Sequence, residues 1–387
     1  MTNLPKVILP GQTIGIIGGG QLGRMMALSA KAMGFRIAVL DPTKDCPCGQ
    51  VADIEINGAY DDLDAIRKLS EVSDVITYEF ENVSFEALTW LNENSYLPQG
   101  AELLKITQNR ITEKTAISDV GVPVAPYGIA ENIMDIYENI KTLGYPCVMK
   151  KIRGGYDGKG QYVIHSESDI VQASELLESG TCVIEKWIPF TKEISVIVTR
   201  KPTGEQKCFP VAENIHHENI LHKSIVPARI SEDISHRAVQ LAEQLADRLN
   251  LVGTLAVEMF VTEQDGILVN ELAPRPHNSG HYTMEACQTS QFEQHIRAVC
   301  NWSLGNTDLM SPVVMVNILG EHVQDLLKVI PDAKTWKIHL YGKKEALAKR
   351  KMGHVNVLRT TIDQSLAEIE QSGIWNLQLK LDVSHQS

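Results

Sequence analysis

The chain is 387 residues long, 43% of them hydrophobic and 22% charged, with a formal net charge of -12. This length predicts roughly two to four domains with a sizeable buried core. The acidic balance argues against nucleic-acid binding, and the amino terminus lacks the apolar run of a signal peptide or membrane span. The seven cysteines are scattered and odd in number, so we expect reduced thiols and a cytoplasmic protein.

Residues 1 to 110 alternate short apolar strands with helical stretches, which predicts a parallel α/β sheet. Gly18–Gly23 satisfies G-x-G-x-x-G between the first strand and a helix at Leu22 to Met33, and Asp41 closes the next strand. This is the pattern of a dinucleotide-binding turn. A nicotinamide-dependent dehydrogenase is therefore one candidate, whereas glycines required only for a tight turn are the plainer interpretation.

Residues 111 to 190 begin with a helical stretch and continue with three strands. Between the first two strands lies GGYDGKGQ, residues 154 to 161, which is rich in glycine and contains Lys159. It is not a Walker A loop, because Arg153 and Gly160 stand where glycine and Ser/Thr are required. Its backbone N–H groups and its lysine still suit an anion, although an exposed hairpin loop is the alternative.

Residues 191 to 310 contain a long helix from about 233 to 249 and a predicted hairpin with paired carboxylates. A loop of Gln264-Asp265 would place Glu258 opposite Glu271, and a loop of Asp265-Gly266 would make them diagonal neighbours. Two like charges on a buried sheet predict a cation between them, and oxygen ligands suit Mg²⁺. The alternative is a pair of exposed surface glutamates. Short strands and helices in residues 311 to 387 predict a small closing lobe.

Six motifs in chain order carry a resemblance to a known family: GGGQLGRM, YEFENV, GGYDGKGQ, ENIHHENI, NELAPRPHNSGH and RKMGHVNV. The chain resembles the ATP-grasp superfamily and, within it, the 5-(carboxyamino)imidazole ribonucleotide synthase family. The resemblance implies an α/β and α+β architecture, an ATP-grasp fold with a Rossmann-like amino-terminal domain that binds no dinucleotide. It implies domains at 1–110 (Rossmann-like), 111–190 (small ATP-grasp subdomain), 191–310 (large ATP-grasp subdomain) and 311–387 (small lobe).

The activity implied by the resemblance is the ATP-dependent carboxylation of 5-aminoimidazole ribonucleotide with bicarbonate, through carboxyphosphate, in purine biosynthesis. ATP and Mg²⁺, with Mn²⁺ as a substitute, are the implied cofactors, and the chain is expected to be a homodimer that binds neither nucleic acid nor membrane. Formate-dependent glycinamide ribonucleotide transformylase is the nearest alternative among related enzymes.

The resemblance also implies a role for particular residues. ATP binding is implied for Arg110, Lys150, Gly155, Tyr156, Asp157, Gly158, Lys159, Gly160, Gln161, Glu185, Lys186, Trp187, Ile188, Glu193, His216, Asn270 and Glu271. Binding of the ribonucleotide or bicarbonate is implied for Gln21, Leu22, Glu79 or Glu81, His277, Asn278, Arg350 and Lys351. Catalytic roles fall to Asp157, Lys159, Arg275 and His277, and the metal ligands are Glu258 and Glu271.

Overall fold

The structure is a computed structural model that describes residues 5–154 and 159–375. Three β-sheets organise these residues. Four of the residues predicted to bind the nucleotide, Gly155, Tyr156, Asp157 and Gly158, lie outside the described residues.

The first sheet is parallel and has the strand order β3-β2-β1-β4. Its strands are β1 (Thr13–Ile17), β2 (Arg36–Asp41), β3 (Ile54–Asn57) and β4 (Val75–Tyr78). The helices of this part are α1 (Gln21–Ala32), α2 (Leu63–Val72), α3 (Phe85–Asn94) and α4 (Glu102–Thr107). Strands β1 and β4 are buried along their whole length, as expected of parallel strands covered on both faces. The predicted α/β architecture of this region is confirmed.

The second sheet is antiparallel and has the order β5-β8-β6-β7. Its strands are β5 (Tyr127–Ala130), β6 (Cys147–Lys151), β7 (Gln161–Ile164) and β8 (Cys182–Lys186), and its neighbouring helices are α5 (Arg110–Asp119), α6 (Ile133–Leu143) and α7 (Ile170–Ser174). The residues described on either side of the glycine-rich segment belong to the neighbouring strands β6 and β7, so this segment joins two adjacent strands, as the sequence predicts.

The third sheet is antiparallel and has nine strands, in the order β14-β13-β9-β11-β12-β15-β17-β16 with β10 beside β9. The strands are β9 (Phe190–Arg200), β10 (Gln206–Cys208), β11 (Ala212–His217), β12 (Ile220–Val226), β13 (Gly253–Thr262), β14 (Ile267–Ala273), β15 (Val313–Leu319), β16 (Trp336–Leu340) and β17 (Lys351–Leu358). The helices are α8 (Glu232–Arg248), α9 (Thr283–Ala286), α10 (Gln291–Val299), α11 (Val323–Val329) and α12 (Ile362–Gln371). The last three strands extend the same sheet that carries the predicted metal hairpin.

Helix α8 shows how the large sheet acquires its core. The Ser231 hydroxyl accepts a hydrogen bond from the backbone N–H of Ile234 and caps the helix. Ile234, Ala238, Ala242 and Leu245 recur at helical spacing, and all four are buried in one cluster with β9, β13 and β14. Within the described part of the chain, none of the helices is long and apolar enough to cross a membrane.

The hairpin of β13 and β14 differs from both predicted loops. Thr262 N–H bonds to the carbonyl of Gly266, so three residues form the loop, and Asp265 has a positive φ of 57°. Glu258 nevertheless lies directly opposite Glu271. The register recovers because Asn270 is an extra residue in β14: Met259 pairs with Val269, and the next pair is Glu258 with Glu271. The predicted carboxylate pairing is confirmed, and the predicted two-residue loop is wrong.

Candidate active site

A cleft of about 550 Å³ opens between the second and third sheets. Its volume is within the range of small-molecule sites. The cleft brings together most of the residues predicted from the sequence: Arg110, Lys150, Lys159, Gln161, Glu185, Lys186, Trp187, Ile188, Glu193, His216, Glu258, Asn270, Glu271, Arg275, His277, Asn278 and Lys351.

Several residues predicted to bind substrate or nucleotide do not line this cleft. The Leu22 side chain is buried in the core of the first sheet, and Gln21 is the first residue of α1. The carbonyl of Gly160 accepts a hydrogen bond from Lys151 N–H. The Arg350 guanidinium donates to the carbonyl of Glu345 on an exposed turn.

The carboxylate pair of Glu258 and Glu271 lies in the wall of the cleft. Burial and then the charge of Glu271 raise the pKa of Glu258 to about 7. Burial also acts to raise the pKa of Glu271, but the positive charges of Arg110 and Lys150 outweigh it and leave that pKa below its usual range. The raised pKa of Glu258 shows that the two carboxylates repel each other, and a cation bound between them would relieve this repulsion.

The donor set fits magnesium. Among residues 5–154 and 159–375, no group of three or more His, Cys, Asp or Glu side chains could hold a metal. Mg²⁺ usually takes only one or two carboxylates and completes its octahedron with phosphate and water. Glu258 and Glu271 offer oxygen ligands of this kind, as does Asn270 on the bulge next to Glu271. The cations in the same cleft suit a phosphate chain.

We expect binding of magnesium–ADP to depend on pH through Glu258. A proton and the metal compete for this carboxylate, so a pKa of about 7 predicts weaker binding as the pH falls through neutrality. Between pH 8 and pH 6 the ionised fraction falls about tenfold, and the affinity should fall by a similar factor. Calorimetric titration would measure it. An affinity that is flat over this range, or a pH dependence that survives in Glu258→Gln, would contradict the prediction.

The first turn of α5 contacts Glu271 and the residue that follows it in β14. Arg110 Nη1 lies 3.3 Å from Glu271 Oε2. One turn later the Glu113 carboxylate accepts a hydrogen bond of 2.7 Å from the backbone N–H of Leu272, the residue after Glu271. Glu113 is buried, and burial followed by the charge of Glu271 raises its pKa to about 8. Helix α5 therefore contacts both the Glu271 side chain and the backbone of β14 directly after it.

A buried cluster of one acid and two lysines lies at the other side of the cleft. Lys150 Nζ is 3.0 Å from Glu185 Oε2, and Lys114 Nζ is 3.3 Å from the same oxygen. Burial acts to raise the pKa of Glu185, but the two lysines outweigh it and lower the pKa. Burial lowers the pKa of Lys150. The cluster joins α5 to β6 and β8. It holds the Lys150 ammonium near the end of β6, close in sequence to the glycine-rich segment.

Sequence reasoning missed Glu113 and Lys114. A signal was present, because Glu113 and Lys114 follow Arg110 by three and four residues, directly after Asn109, whose side chain caps the helix. Such spacing places charges on one side of a helix. In the structure Arg110 and Glu113 line the cleft, and Lys114 contacts Glu185 beside it.

Two histidines face the carboxylates of the large sheet. His216 Nδ1 contacts Glu193 Oε2, and although burial lowers the pKa of His216, the Glu193 charge outweighs it and raises the pKa above its usual value. His277 Nε2 lies 3.2 Å from Glu258 Oε1, and burial lowers the pKa of His277 well below its usual value. At neutral pH His277 is therefore an uncharged ring beside a carboxylate that is predicted to bind the metal.

The glycine-rich turn of the first sheet holds the protein's own carboxylates. Gly20 N–H and Gly23 N–H both donate to Glu79, and Gly19 N–H donates to Asp41 Oδ2 at 2.7 Å. A Cβ added to Gly20 would meet the Glu79 carboxylate at 2.6 Å, so these glycines permit a close internal approach. Asp41 also accepts from Tyr60 at 2.6 Å. The acid and amides that a dinucleotide would use are thus already paired, which removes the basis for the dehydrogenase alternative.

A third residue that sequence reasoning missed, Lys343, interacts with Glu79. The Lys343 ammonium donates to the carbonyl of Lys351 at 2.7 Å, and burial lowers its pKa to about 8. The Lys343 ammonium interacts electrostatically with Arg350, Glu79 and Lys351. Across the entrance, Arg275 Nε lies 2.8 Å from Glu81 Oε1. The cleft is therefore bordered by cations on the side of the first sheet.

Replacing Lys159 with alanine should reduce turnover about tenfold and leave the melting temperature nearly unchanged, because exposed loop residues bear few core contacts. Steady-state kinetics and thermal melting would measure both effects. Lys141→Ala on the exposed face of α6 is the matched control and should change neither. A loss of stability as large as that of a core Leu→Ala substitution would show that Lys159 is structural.

Three family models match the chain. The ATP-grasp domain matches residues 115–292, the ribonucleotide synthetase preATP-grasp domain residues 11–108, and the phosphoribosylaminoimidazole carboxylase C-terminal domain residues 313–368. Together with the cleft between the two antiparallel sheets, they define this chain as an ATP-grasp enzyme of the ligase type. The resemblance found in the sequence motifs is confirmed at the level of the superfamily.

Similar proteins define the family more narrowly. A curated N5-carboxyaminoimidazole ribonucleotide synthase of Bacillus subtilis (strain 168) is 58% identical over 365 residues, 94% of this chain and 96% of the relative. A crystal structure of an N5-carboxyaminoimidazole ribonucleotide synthetase with ADP has a TM-score of 0.94 at 60% identity and covers 96% of this chain and 99% of its own. The Aspergillus clavatus enzyme, crystallised with ADP and 5-aminoimidazole ribonucleotide, has a TM-score of 0.88 at 30% identity over 93% of this chain and 97% of its own. The chain belongs to the N5-carboxyaminoimidazole ribonucleotide synthase family.

Proposed function

We propose that this chain catalyses the ATP-dependent carboxylation of 5-aminoimidazole ribonucleotide with bicarbonate, releasing ADP and phosphate. One observation carries the proposal: a single cleft contains the Glu258 and Glu271 pair, the lysine cluster around Glu185, and the polar segment Arg275–Asn278. Metal, nucleotide and a small anion can meet there. Relatives named for this reaction share the chain over almost its full length.

At one end of the cleft, cations and polar groups would bind the phosphates and the base of ATP. Lys150 and Arg110 offer cations to the phosphates, and the segment from Glu185 to Ile188 offers polar groups to the base. Glu258 and Glu271 would hold Mg²⁺, which supplies charge neutralisation on the transferred phosphoryl group when bound. Phosphoryl transfer depends on positioning and charge more than on a covalent nucleophile, which agrees with a cleft lined by cations and carboxylates.

The bicarbonate end would lie at Arg275, His277 and Asn278. Bicarbonate is a poor electrophile, because an attacking amine would have to expel hydroxide. Phosphorylation converts that oxygen into a good leaving group, and the resulting carboxyphosphate, or CO₂ released from it, reacts with the exocyclic amine of the ribonucleotide. The Asn278 side-chain amide is buried and its two polar atoms have no hydrogen-bond partner within the described residues, so it can serve such an anion.

The ribonucleotide would enter from the side of the first sheet. Its phosphate would meet the cations Lys343, Arg350 and Lys351, and its ribose would lie near Glu79 or Glu81. The carboxylate of Glu79 already occupies the amides of Gly20 and Gly23, so this site binds the substrate with that carboxylate as part of its wall. The homodimer and the cytoplasmic location remain predictions of the family resemblance.

Product formation tests the proposal. The purified chain should release phosphate from ATP only when both 5-aminoimidazole ribonucleotide and bicarbonate are present, with one carbamate formed per ATP. Activity with formate and glycinamide ribonucleotide in their place would move the assignment to the transformylase. ATP hydrolysis that the imidazole ribonucleotide does not stimulate would contradict the proposal.

A further inference from the structure

Four buried polar side chains form a hydrogen-bonded chain that ends at His277. Ser224 Oγ donates to Asn214 Oδ1 at 2.8 Å, and Asn214 Nδ2 donates to Ser195 Oγ at 2.9 Å. Ser195 Oγ donates to Ser279 Oγ at 2.8 Å, and Ser279 Oγ lies 2.9 Å from His277 Nδ1. All four side chains are at most 6% exposed. We call these four residues the serine–asparagine chain.

The two nitrogens of His277 face partners of opposite character. The backbone N–H of Ser279 points at Nδ1 over 3.3 Å, and because a backbone N–H is always a donor, this contact favours a lone pair on Nδ1. A neutral imidazole with its lone pair on Nδ1 carries its hydrogen on Nε2. Nε2 lies 3.2 Å from Glu258 Oε1, which accepts this hydrogen when the carboxylate is ionised. The direction of the hydrogen bonds in the serine–asparagine chain supports the same assignment. The Ser279 hydroxyl accepts from Ser195, so its own hydrogen is available to donate to Nδ1.

The backbone of His277 is fixed independently of the ring. His277 N–H donates to Gln291 Oε1 at 2.9 Å, and Gln291 Nε2 donates to the carbonyl of His277 at 2.7 Å. Gln291 is fully buried in α10. Ser195, which donates to Ser279, is the cross-strand neighbour of Glu258. The contacts at both ring nitrogens therefore lead back to two adjacent strands of one sheet. Both the position of the ring and its orientation are thus determined by the scaffold.

We infer that the serine–asparagine chain consists of positioning residues that hold His277 in the Nε2–H form, so that the ring donates a hydrogen bond into the cleft. The inference deepens the proposed function, because the acceptor there would be an oxygen of bicarbonate or carboxyphosphate, on which negative charge increases. A ring with its hydrogen on Nε2 has no lone pair facing the cleft. His277 therefore does not take the proton of the substrate amine, and that proton leaves by another group.

The form of the ring can be read directly by nuclear magnetic resonance in the resting protein with isotopically labelled histidine nitrogen. Long-range proton–nitrogen correlations distinguish a protonated Nδ1 from a protonated Nε2, and His277→Gln identifies the signals by their loss. We expect the Nε2–H pattern in the wild-type chain. An Nδ1–H pattern would overturn the inference. This measurement needs no turnover, so the Nε2–H pattern in a protein that fails to carboxylate would contradict the proposed function alone.

Ser279→Ala tests the positioning role. It removes the hydroxyl 2.9 Å from Nδ1 and leaves only the backbone N–H at 3.3 Å. We expect a mixed nitrogen pattern, a kcat reduced about tenfold to a hundredfold and an unchanged KM for ATP. Ser195→Ala, one link further away, should give the same changes on a smaller scale and serves if Ser279→Ala does not fold. Thr199→Val, which removes a buried hydroxyl on the same strand that bonds to Thr254 at 2.9 Å, is the control and should change neither readout. Wild-type nitrogen signals and kcat in both serine variants would refute the role.

Discussion

Replacing Glu271 with glutamine should lower kcat by about a hundredfold to a thousandfold while the fold remains intact. Glu271 lies directly opposite Glu258 and 3.3 Å from Arg110. The substitution removes half of the negative charge that would bind the metal, and this charge matters most when the phosphoryl group is transferred. It also removes the repulsion between two neighbouring carboxylates, so the free energy of unfolding should change little.

The same chemical change elsewhere on the hairpin provides the control. Glu263→Gln alters an exposed residue in the loop of the hairpin and should leave both kcat and the melting temperature unchanged. Kinetics at saturating magnesium and ATP, with thermal melting of both variants, would separate chemistry from folding. A Glu271→Gln variant with nearly normal turnover would exclude the hairpin from the metal site.

The first sheet shows what local sequence can determine. Continuous apolar runs and a glycine turn predict parallel strands, and the predicted helix from Leu22 to Met33 differs from the observed Gln21–Ala32 by one residue at each end. The same pattern could not predict that Glu79 would occupy the amides of the turn. Glu79 directly follows β4 and is 59 residues from Gly20 in the sequence. Only the parallel pairing of β4 with β1 brings it to the start of α1.

The hairpin of β13 and β14 shows how a correct carboxylate pairing can follow from an incorrect local detail. Alternation of apolar residues predicts two paired strands, but it does not distinguish a loop of two residues from one of three. A slip of one residue would have turned one carboxylate to the other face of the sheet. The bulge at Asn270 compensates for the longer loop and returns Glu271 to its position opposite Glu258. The prediction that Glu258 and Glu271 pair was therefore correct although the predicted loop was not.

The charges on α5 were beyond sequence reasoning for a different reason. Polar side chains on a helix are most often solvent-exposed, and the sequence pattern assigned no role to Glu113 and Lys114. In the structure they are 3% and 1% exposed, because each finds a partner from another element. A buried charge is stable only when such partners exist, and those partners are distant in sequence. The paired carboxylates can be predicted from the sequence of one hairpin. The contacts of Glu113 and Lys114 join residues far apart in the sequence and are visible only in the tertiary structure.

A heavy oxygen isotope supplied in bicarbonate should appear in the released phosphate, one labelled atom for each carbamate formed. If carboxyphosphate forms, a bicarbonate oxygen attacks the γ-phosphorus of ATP and ADP departs. The bridging oxygen then stays on phosphorus when its bond to carbon breaks. Mass spectrometry of the phosphate would measure the label, with a short incubation so that exchange between bicarbonate and water is small.

The alternative to this label transfer is direct attack of the amine on dissolved CO₂, with ATP hydrolysis driving only a conformational change. Water then supplies the new oxygen of phosphate, and the product carries no label from bicarbonate. The cleft favours transfer, because the carboxylate pair and the segment Arg275–Asn278 line the same space, with His277 Nε2 only 3.2 Å from Glu258 Oε1. A bicarbonate ion held there would lie beside the phosphate chain. Substrate-stimulated hydrolysis without label transfer would refute the carboxyphosphate route and leave the fold and the nucleotide site unaffected.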